Sequence, residues 1–442
     1  MTVDPAAAGP DAEVVGIARD LMRIDTSNYG DDPRSQERDA AEYVAGLLSD
    51  VGLEVELVES APRRTSVFAR IAGEDRNRSA LLLHGHLDVV PADASDWAHP
   101  PFAAEIVEED GEQMVWGRGA IDMKDMDAMI LSVVRDRLRS GRKPPRDIVL
   151  SFLADEEAGG LFGSHWLVEH RPDLFEGVTD AVGEVGGFSF SVNDDLRLYL
   201  IETAEKGIAW MRLTAHGRAG HGSMVNDENA VTRLSEAVAR LGRHEFAITP
   251  TQTVDAFLAE VRAALQLDPD TDAEKVVAHL GPIAPMIGAT LRNSANPTML
   301  DAGYKSNVIP GEAHAMVDGR YLPGHRDEFL AEVDRVLGPG IERVNQVEDI
   351  ALETSFDGPL IAAMTSSLLD EDPAARAVPY TLSGGTDAKA FKSLGITGYG
   401  FAPLRLPPTL AFADLFHGVD ERVPVSALQF GARVLDRFLD RI

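Results

Sequence analysis

Histidine and carboxylate side chains follow two short apolar stretches of this chain. His86-Leu87-Asp88 comes after the run from Ser79 to Leu83, and Asp155-Glu156-Glu157 comes after the run from Asp147 to Ala154. A histidine at a strand end can bind a metal ion through one ring nitrogen while a nearby Asp88 orients the ring or supports the base. Of two adjacent acids, one can bind metal and the other can face an attacking water. A buried core pair and an exposed Glu pair are the alternative interpretations.

A glycine-rich segment, Gly117-Arg118-Gly119-Ala120-Ile121-Asp122, offers another carboxylate. Glycines let a backbone approach a ligand, and the two oxygens of one Asp122 can each bind a different cation of a metal pair. The alternative is a turn capped by Asp122. His84 shares the strand and the side of His86, and we interpret it as a neighbour of the site rather than a ligand.

Two later residues complete a donor set. Glu184 lies among glycines, and His417 lies in a loop with Asp420 and Glu421 close by. The metal-ligand candidates are His86, Asp122, Glu157, Glu184 and His417. Two imidazoles and three carboxylates suit a pair of Zn²⁺ ions that Co²⁺ or Mn²⁺ can replace. Cysteine is absent, which excludes thiolate ligands and disulfides.

Length and charge limit the remaining function classes. A chain of 442 residues exceeds the ~250 to 300 residues of a single core, so we expect two domains. The net charge of −31 disfavours nucleic acid and anionic membranes as partners, and most of the acids are expected to form a solvated surface. No run of about 18 apolar residues occurs, and the segment from Met1 to Asp20 has no secretion signal. The expected location is the cytoplasm.

The elements that carry these residues have an α/β pattern. Apolar residues at helical spacing predict helices over 11–24 and 35–50, and the two apolar runs predict buried strands. Helices between short strands indicate a mixed sheet flanked by helices on both faces. In such sheets functional residues collect at the carboxyl ends of strands, where both polar clusters stand.

A second, smaller domain is predicted within the first. Strands over 208–214 and 313–320 and helices over 229–241 and 327–337 indicate a separate α/β unit, and 341–347 is either its last strand or a connector. The long stretch 244–285 is expected to contain a helix around 255–264. The predicted domains are 1–205 and 351–442, which together form the metal-binding domain, and 206–350, inserted between them.

The ordered motifs resemble a known family. They are His86-x-Asp88-x-Val90-Pro91, Trp97-x-x-Pro100-Pro101-Phe102, Gly117-Arg118-Gly119-x-x-Asp122-x-Lys124, Asp155-Glu156-Glu157 and the late His417. Together they resemble the co-catalytic zinc aminoacylases and carboxypeptidases of peptidase clan MH, among them acetylornithine deacetylase, glutamate carboxypeptidase and carboxypeptidase S. The likeness runs nearly end to end.

The resemblance implies a zinc-peptidase-like catalytic domain and an inserted ferredoxin-like domain that serves as lid and dimer contact. One metal would be held by His86 and Glu184 and the other by Glu157 and His417. Asp122 would bridge them, Glu156 would act as general base, and Asp88 would support the ligands.

The same resemblance extends to the inserted domain. His221, in Gly220-His221-Gly222-Ser223, would polarise the substrate carbonyl, often across a homodimer, although Gly222 departs mildly from the family pattern. The residues expected to contact the free carboxylate of the substrate are Asn307, Arg320, Gly384, Gly385 and Thr386. Without the family, His221 is interpreted as a solvated loop residue, and Arg320 can instead pair with Asp318.

The resulting hypothesis is a metal-dependent hydrolase that cleaves an amide or peptide bond next to a free carboxylate in a small molecule. An N-acyl amino acid deacylase and a dipeptidase or carboxypeptidase share this metal site, with the segment from Asn293 to Pro310 slightly closer to carboxypeptidase S. A catalytically silent metal-binding homologue with a regulatory role is the alternative, and the intact Glu156 argues against it.

Overall fold

A computed structural model of the chain describes residues 9–442. The first eight residues, part of the segment in which no secretion signal was found, lie outside this range. Within the described residues, no helix has the length and apolar character needed to cross a membrane.

The helices are α1 (Val14–Arg23), α2 (Arg38–Ser49), α3 (Lys124–Arg139), α4 (Ser164–His170), α5 (Ala230–Leu241), α6 (Gln252–Ala264), α7 (Ala273–Ala278), α8 (Ala284–Thr290), α9 (Arg326–Leu337), α10 (Gly358–Glu371), α11 (Ala388–Phe391) and α12 (Val425–Leu439). The strands are β1 (Val55–Ala61), β2 (Arg64–Ile71), β3 (Ala80–His86), β4 (Glu105–Glu109), β5 (Glu112–Trp116), β6 (Ile148–Leu153), β7 (Val178–Gly183), β8 (Phe188–Asn193), β9 (Leu196–Glu205), β10 (Gly207–His216), β11 (Gly220–His221), β12 (Ser294–Ala302), β13 (Val308–Ile309), β14 (Glu312–Tyr321), β15 (Ile341–Asp349), β16 (Leu352–Glu353), β17 (Arg376–Leu382), β18 (Thr397–Gly400) and β19 (Arg422–Pro424).

Contacts between residues divide the chain into two units. The larger unit contains the residues up to Thr203 together with Thr354–Pro379 and Thr386–Ile442. The smaller unit contains Ala204–Glu353 and Tyr380–Gly385.

The larger unit is built on a mixed sheet with the strand order β1-β2-β6-β3-β7-β18-β9, and β8 also pairs with β9. The inner strands β6, β3, β7 and β18 are parallel, whereas β1, β2 and β9 pair antiparallel. Every residue of β3 and β6 is buried, as expected for strands that are covered on both faces. The two apolar runs were therefore correctly interpreted as buried strands.

Helices cover both faces of this sheet, as the sequence predicts. On one face Leu167 of α4 and Phe391 of α11 pack in a core with Leu82 of β3. On the other face α3 packs against β3 and is itself in contact with α1, α2 and α12. Helix α1 buries Val14, Ile17, Ala18, Leu21 and Met22, which form one apolar stripe.

A small three-stranded sheet with the order β19-β5-β4 joins distant parts of the larger unit. Arg422 of β19 pairs with Trp116 at the end of β5. The residues just before Arg422 therefore lie beside the glycine-rich segment that begins at Gly117.

The smaller unit is an antiparallel sheet with the order β12-β14-β10-β15. Along the chain its elements follow the pattern β10-α5-β12-β14-α9-β15, which is the ferredoxin-like arrangement that the resemblance implies. Helices α5 and α9 pack on one face, where alternate residues of β10 and β14 are buried. The segment 341–347 is part of β15 and pairs with β10, so it is the last strand rather than a connector.

Candidate functional site

Three parallel strands of the larger unit deliver polar side chains to one edge of the sheet. His86 is the last residue of β3, Glu156 and Glu157 follow β6 by a short turn, and Glu184 directly follows β7. Because parallel strands end at the same edge, these side chains converge. The two clusters at strand ends therefore belong to one site.

The carboxylate of Asp122 lies between two imidazoles. Its Oδ1 is 3.1 Å from Nε2 of His86, and its Oδ2 is 3.2 Å from Nε2 of His417. His86 and His417 are thus joined through a single acid, although they lie near opposite ends of the chain.

Each imidazole also meets a further carboxylate. Nε2 of His86 is 3.6 Å from Oε2 of Glu184, and Nε2 of His417 is 3.0 Å from Oε2 of Glu157. The donor atoms of His86, Asp122 and Glu184 all lie within 4.8 Å of one another, and so do those of Asp122, Glu157 and His417. The site therefore consists of two potential metal-binding groups that share Asp122.

Glu156 lies beside this pair of groups but belongs to neither. Its Oε2 is 3.9 Å from Nε2 of His86. The ring of His84 is buried, packs against Phe391 and is not a member of either group. Burial and the neighbouring His86 lower the pKa of His84 to about 3, so this ring is a neutral neighbour of the site.

Asp88 supports the site in two ways. Nδ1 of His86 donates to the backbone carbonyl of Asp88 at 2.9 Å, which leaves Nε2 available as a ligand atom. The Asp88 carboxylate accepts hydrogen bonds from the backbone N–H groups of Glu156, at 3.2 Å, and Glu157, at 3.0 Å. Asp88 thus orients the ring through its carbonyl and holds the Glu156-Glu157 turn through its side chain.

The charges in the site are concentrated, and those of His86, Asp122 and Glu184 are buried, whereas the His417 side chain is 57% exposed. Burial raises the pKa of Glu184 to about 8, and burial together with Glu184 raises the pKa of Glu156 well above its usual value. Asp122 and Glu157 raise the pKa of His417 to about 10. Burial lowers the pKa of His86, but Glu184 and Asp122 outweigh it and hold that pKa well above the usual value. Four acids around two imidazoles form a centre that bound cations would neutralise.

Glu421 organises the glycine-rich segment, a role that the sequence did not reveal. Its fully buried carboxylate accepts hydrogen bonds from the backbone N–H groups of Gly119, at 3.1 Å, and Ile121, at 2.7 Å, and from Nη1 of Arg118 at 2.7 Å. Gly119 adopts φ +85°, which favours glycine. The segment therefore wraps around an acid from a distant part of the chain, and this fixes the position of Asp122. The only available signal was the proximity of Glu421 to His417 in the chain.

In the smaller unit, β11 and β13 bring His221 next to the segment of Asn307. His221 pairs with Val308, and the N–H of Gly222 donates to the carbonyl of Asn307 at 2.8 Å. The exposed His221 ring is hydrogen-bonded through Nδ1 to Oγ of Ser223 at 2.8 Å.

The other substrate-contact candidates are partly exposed. Arg320 forms a two-pronged ion pair with Asp318, at 2.7 and 3.0 Å, so the pairing considered as an alternative is present. Gly384 and Gly385 belong to the smaller unit, whereas Thr386 belongs to the larger unit, where its Oγ1 accepts a hydrogen bond from the N–H of Ala388.

The chain is similar to known proteins over most of its length. The model of Peptidase family M20/M25/M40 matches residues 82–441. The chain is 28% identical to a probable carboxypeptidase S-like 2 of Dictyostelium discoideum, over 80% of this chain and 70% of that protein. It is 26% identical to aminoacylase-1 of Homo sapiens, over 98% and 96% of the two chains. The crystal structure of an M20 family metallo-carboxypeptidase, Sso-CP2 from Sulfolobus solfataricus, superposes with a TM-score of 0.71 at 18% identity, covering 97% of this chain and 99% of that one.

The chain belongs to Peptidase family M20/M25/M40, because the family model covers most of its length. It is a metal-dependent hydrolase of a family whose named members include aminoacylases and carboxypeptidases. The resemblance drawn from the ordered motifs is confirmed.

Proposed function

We propose that this protein hydrolyses an amide or peptide bond next to a free carboxylate, using two metal ions and Glu156 as general base. The observation that carries the proposal is the Asp122 carboxylate shared by two donor groups, with Glu156 beside them. A single carboxylate bridging two cations is a recurrent feature of two-metal hydrolytic sites.

The donor set fits Zn²⁺, which Co²⁺ or Mn²⁺ can replace. Its donors are imidazole nitrogens and carboxylate oxygens, and the chain has no thiolate that would favour softer ions. His86 and Glu184 would hold one ion, Glu157 and His417 the other, and Asp122 both. Bound ions would supply Lewis acidity, which polarises the scissile carbonyl and makes water a stronger acid.

Glu156 moves the proton in this scheme. A carboxylate oxygen of Glu156 accepts a proton from the attacking water as the water oxygen bonds to the carbonyl carbon. The same proton then passes to the leaving nitrogen as the C–N bond breaks, which gives a carboxylic acid and an amine; transfer of the remaining acidic proton yields the carboxylate and the ammonium ion. Burial and the neighbouring Glu184 raise the pKa of Glu156, which makes its carboxylate a stronger base than that of an exposed glutamate.

Six further residues would bind and polarise the substrate. His221 would donate a hydrogen bond to the developing oxyanion, and Arg320, Asn307, Gly384, Gly385 and Thr386 would contact the free carboxylate. An arginine fork suits a carboxylate, and Arg320 already forms that geometry with Asp318. We further propose a homodimer formed through the smaller unit.

Two substrate classes share this chemistry. Aminoacylase-1 and the carboxypeptidase S-like protein bear names for N-acyl amino acid and peptide cleavage, and the chain is similar to both. We therefore place N-acyl amino acids and short peptides together as candidate substrates. The silent-homologue alternative has no use for Glu156 beside a complete donor set.

The proposal is tested by comparing Glu156→Gln with Glu157→Gln. Amine release from a panel of N-acyl amino acids and dipeptides would be measured with metal-stripped protein, with and without Zn²⁺, Co²⁺ or Mn²⁺. Glu156→Gln is expected to retain both metal ions and lose ~10²- to 10⁴-fold in kcat, whereas Glu157→Gln is expected to lose metal. Turnover by Glu156→Gln at the wild-type rate would refute the role of the base, and a wild-type protein inactive on the whole panel with both ions bound would favour the silent homologue.

A further inference from the structure

A buried polar network lies behind the Glu156-Glu157 turn of the larger unit. It contains three carboxylates, one guanidinium and one amide, each at most 6% exposed: Glu37, Asp88, Asp155, Arg64 and Asn28. Buried charges persist only when partners satisfy them, so the arrangement of this network is specific.

Asn28 connects two acids of the network. Its Nδ2 donates to Oδ2 of Asp88 at 2.8 Å and to Oδ1 of Asp155 at 3.1 Å. Its Oδ1 accepts the N–H of Gly30 at 2.9 Å, which identifies the amide orientation. Both amide hydrogens therefore point at carboxylates.

The backbone holds Asn28 in place. Its N–H donates to the carbonyl of Val89 at 2.9 Å, and the N–H of Val89 donates to the carbonyl of Thr26 at 3.2 Å. Two backbone hydrogen bonds thus join the segment that carries Asn28 to the loop that follows His86.

Asp155 needs this support because its backbone is left-handed, at φ +71°. A non-glycine residue keeps that conformation only when its surroundings determine it. The Asp155 carboxylate accepts hydrogen bonds from Asn28, from Nη2 of Arg64 at 2.6 Å and from the N–H of Phe162 at 2.8 Å. The left-handed residue turns the chain out of β6 and into the short 3₁₀ turn Glu156–Ala158.

Asp88 continues the connection to the reacting groups. It holds the N–H groups of Glu156 and Glu157, and its carbonyl orients the ring of His86. One amide side chain therefore ties the loop of His86 to the turn of Glu156.

We propose that Asn28 is a positioning residue for hydrolysis. Its amide, with the guanidinium of Arg64, holds the carboxylates of Asp88 and Asp155. These two acids in turn hold Glu156 at the position, relative to His86, from which it would face the reacting water. The inference rests on the proposed function. Asn28 is a member of neither donor group, and it would act through the two acids that it joins.

The test is Asn28→Ala, with Asn293→Ala as the matched control. Asn293 is equally buried, lies in the smaller unit and accepts the N–H of Leu322 at 2.8 Å. Asn28→Ala is expected to bind the same amount of Co²⁺ as the wild type, with an altered visible spectrum, and to lose ~100-fold in kcat with KM little changed, because a displacement of ~1 Å costs about that much. Asn293→Ala is expected to leave kcat and the spectrum unchanged. Equal kcat values in the two variants would overturn the proposal.

A second variant, Asn28→Asp, preserves the side-chain volume in case Asn28→Ala fails to fold. It places a further carboxylate between Asp88 and Asp155, close to Glu37, with Arg64 as the only cation of the network. Its kcat relative to the wild type is expected to be low at pH 8 and to rise toward pH 6, because the introduced carboxyl group regains one hydrogen-bond donor when it is protonated. Wild-type kcat at pH 8 would contradict the proposal.

The outcome with Glu156→Gln separates this inference from the proposed function. If Glu156→Gln loses turnover while Asn28→Ala and Asn28→Asp retain it, the positioning role alone fails. If Glu156→Gln retains turnover, the proposed function fails first.

Discussion

The candidate centre of the larger unit and the polar residues of the smaller unit differ in how their side chains are held. His86, Asp122 and Glu184 are at most 9% exposed, and their orientation is supported by Asp88 and Glu421. His221 is exposed, and its ring is hydrogen-bonded to the hydroxyl of Ser223, while Arg320 pairs with Asp318. The side chains of the first group are held in place by the protein itself, whereas those of the second would have to exchange their local partners to make the proposed substrate contacts.

This contrast separates two kinds of effect. In the proposed function, a centre whose side chains are already oriented would provide the rate of the chemical step, because its charges need little reorganisation. In the same proposal, the exposed groups with local partners would contribute to substrate binding and to stabilisation of the developing charge. Substitutions in the two donor groups of the larger unit should therefore abolish turnover, whereas substitutions of the exposed polar residues of the smaller unit should lower it only partly.

The largest effect is expected from metal removal. Chelation should abolish turnover and lower Tm, because ions that bind only the folded protein stabilise it and because four acids of the centre lose their counterions. Zn²⁺, Co²⁺ or Mn²⁺ should restore both properties. Amine release and thermal melting of metal-stripped and metal-reloaded protein measure both effects. Full activity after complete removal of metal would show that the centre of the larger unit does not need metal ions for turnover.

His221→Ala should give the next largest effect. Loss of one donor to the oxyanion is expected to reduce kcat ~10²- to 10³-fold without changing metal content. His216→Ala is the matched control, since His216 is another exposed histidine of the smaller unit, close to Glu312 and Glu342. Steady-state kinetics and metal analysis distinguish them, and similar kcat losses in both variants would argue against a specific role for His221.

Arg320→Lys should give a smaller effect, confined to binding. Lysine keeps the charge and loses the fork, so KM is expected to rise ~10- to 100-fold while kcat changes little. Arg343→Lys serves as control, because Arg343 forms the same kind of fork with Asp334 in the same unit. The proposal is contradicted if the two variants have the same KM.

Glu37→Gln should alter the pH dependence of stability, because Glu37 is a fully buried acid. Burial, with Asp88 adding to it, raises the pKa of Glu37 to about 8 from 4.5, so the folded protein keeps a proton that the unfolded chain releases. Wild-type stability therefore falls as pH rises from about 4.5 to 8. Glutamine does not titrate, so the free energy of unfolding of the variant should rise relative to that of the wild type between pH 4.5 and pH 8. The difference should reach roughly 1 to 3 kcal/mol near pH 8.

Glu13→Gln is the control of opposite sign. Hydrogen bonds from Arg135 and Arg139 outweigh burial and lower the pKa of Glu13, so its stabilising contribution is present above pH 4.5 and is lost as pH falls. This variant should be less stable than the wild type near neutral pH. Urea unfolding at pH 5, 7 and 9 measures both effects, and a pH-independent difference for Glu37→Gln would contradict the account.

Local pattern was sufficient to predict much of the fold. The strands that end at His86 and before Asp155 were recognised because each is a short apolar run followed by polar residues. The sequence did not decide whether 341–347 is the last strand of the smaller unit or a connector, and in the structure no residue of Ile341–Asp349 is fully buried. Its pairing with β10 decides the question, and that pairing is a long-range contact.

The residues that support the site could not be predicted from the sequence, because they too act through long-range contacts. Glu421 acts on the segment of Gly119 from 302 residues away, and Asn28 acts on Asp155 from 127 residues away. Neither has a local pattern that distinguishes it from a surface acid or a loop amide. Likewise, the short spacing between Asp318 and Arg320 permitted either an ion pair or a substrate contact, and only the structure shows that the pair forms.

The central claim is that five side chains hold two metal ions through a shared Asp122. Anomalous diffraction at the zinc absorption edge, from crystals of the zinc-loaded protein, tests it most directly. Two peaks are expected, one bonded to His86 and Glu184 and the other to Glu157 and His417, with an oxygen of Asp122 on each. A single peak, or peaks away from Asp122, would contradict it.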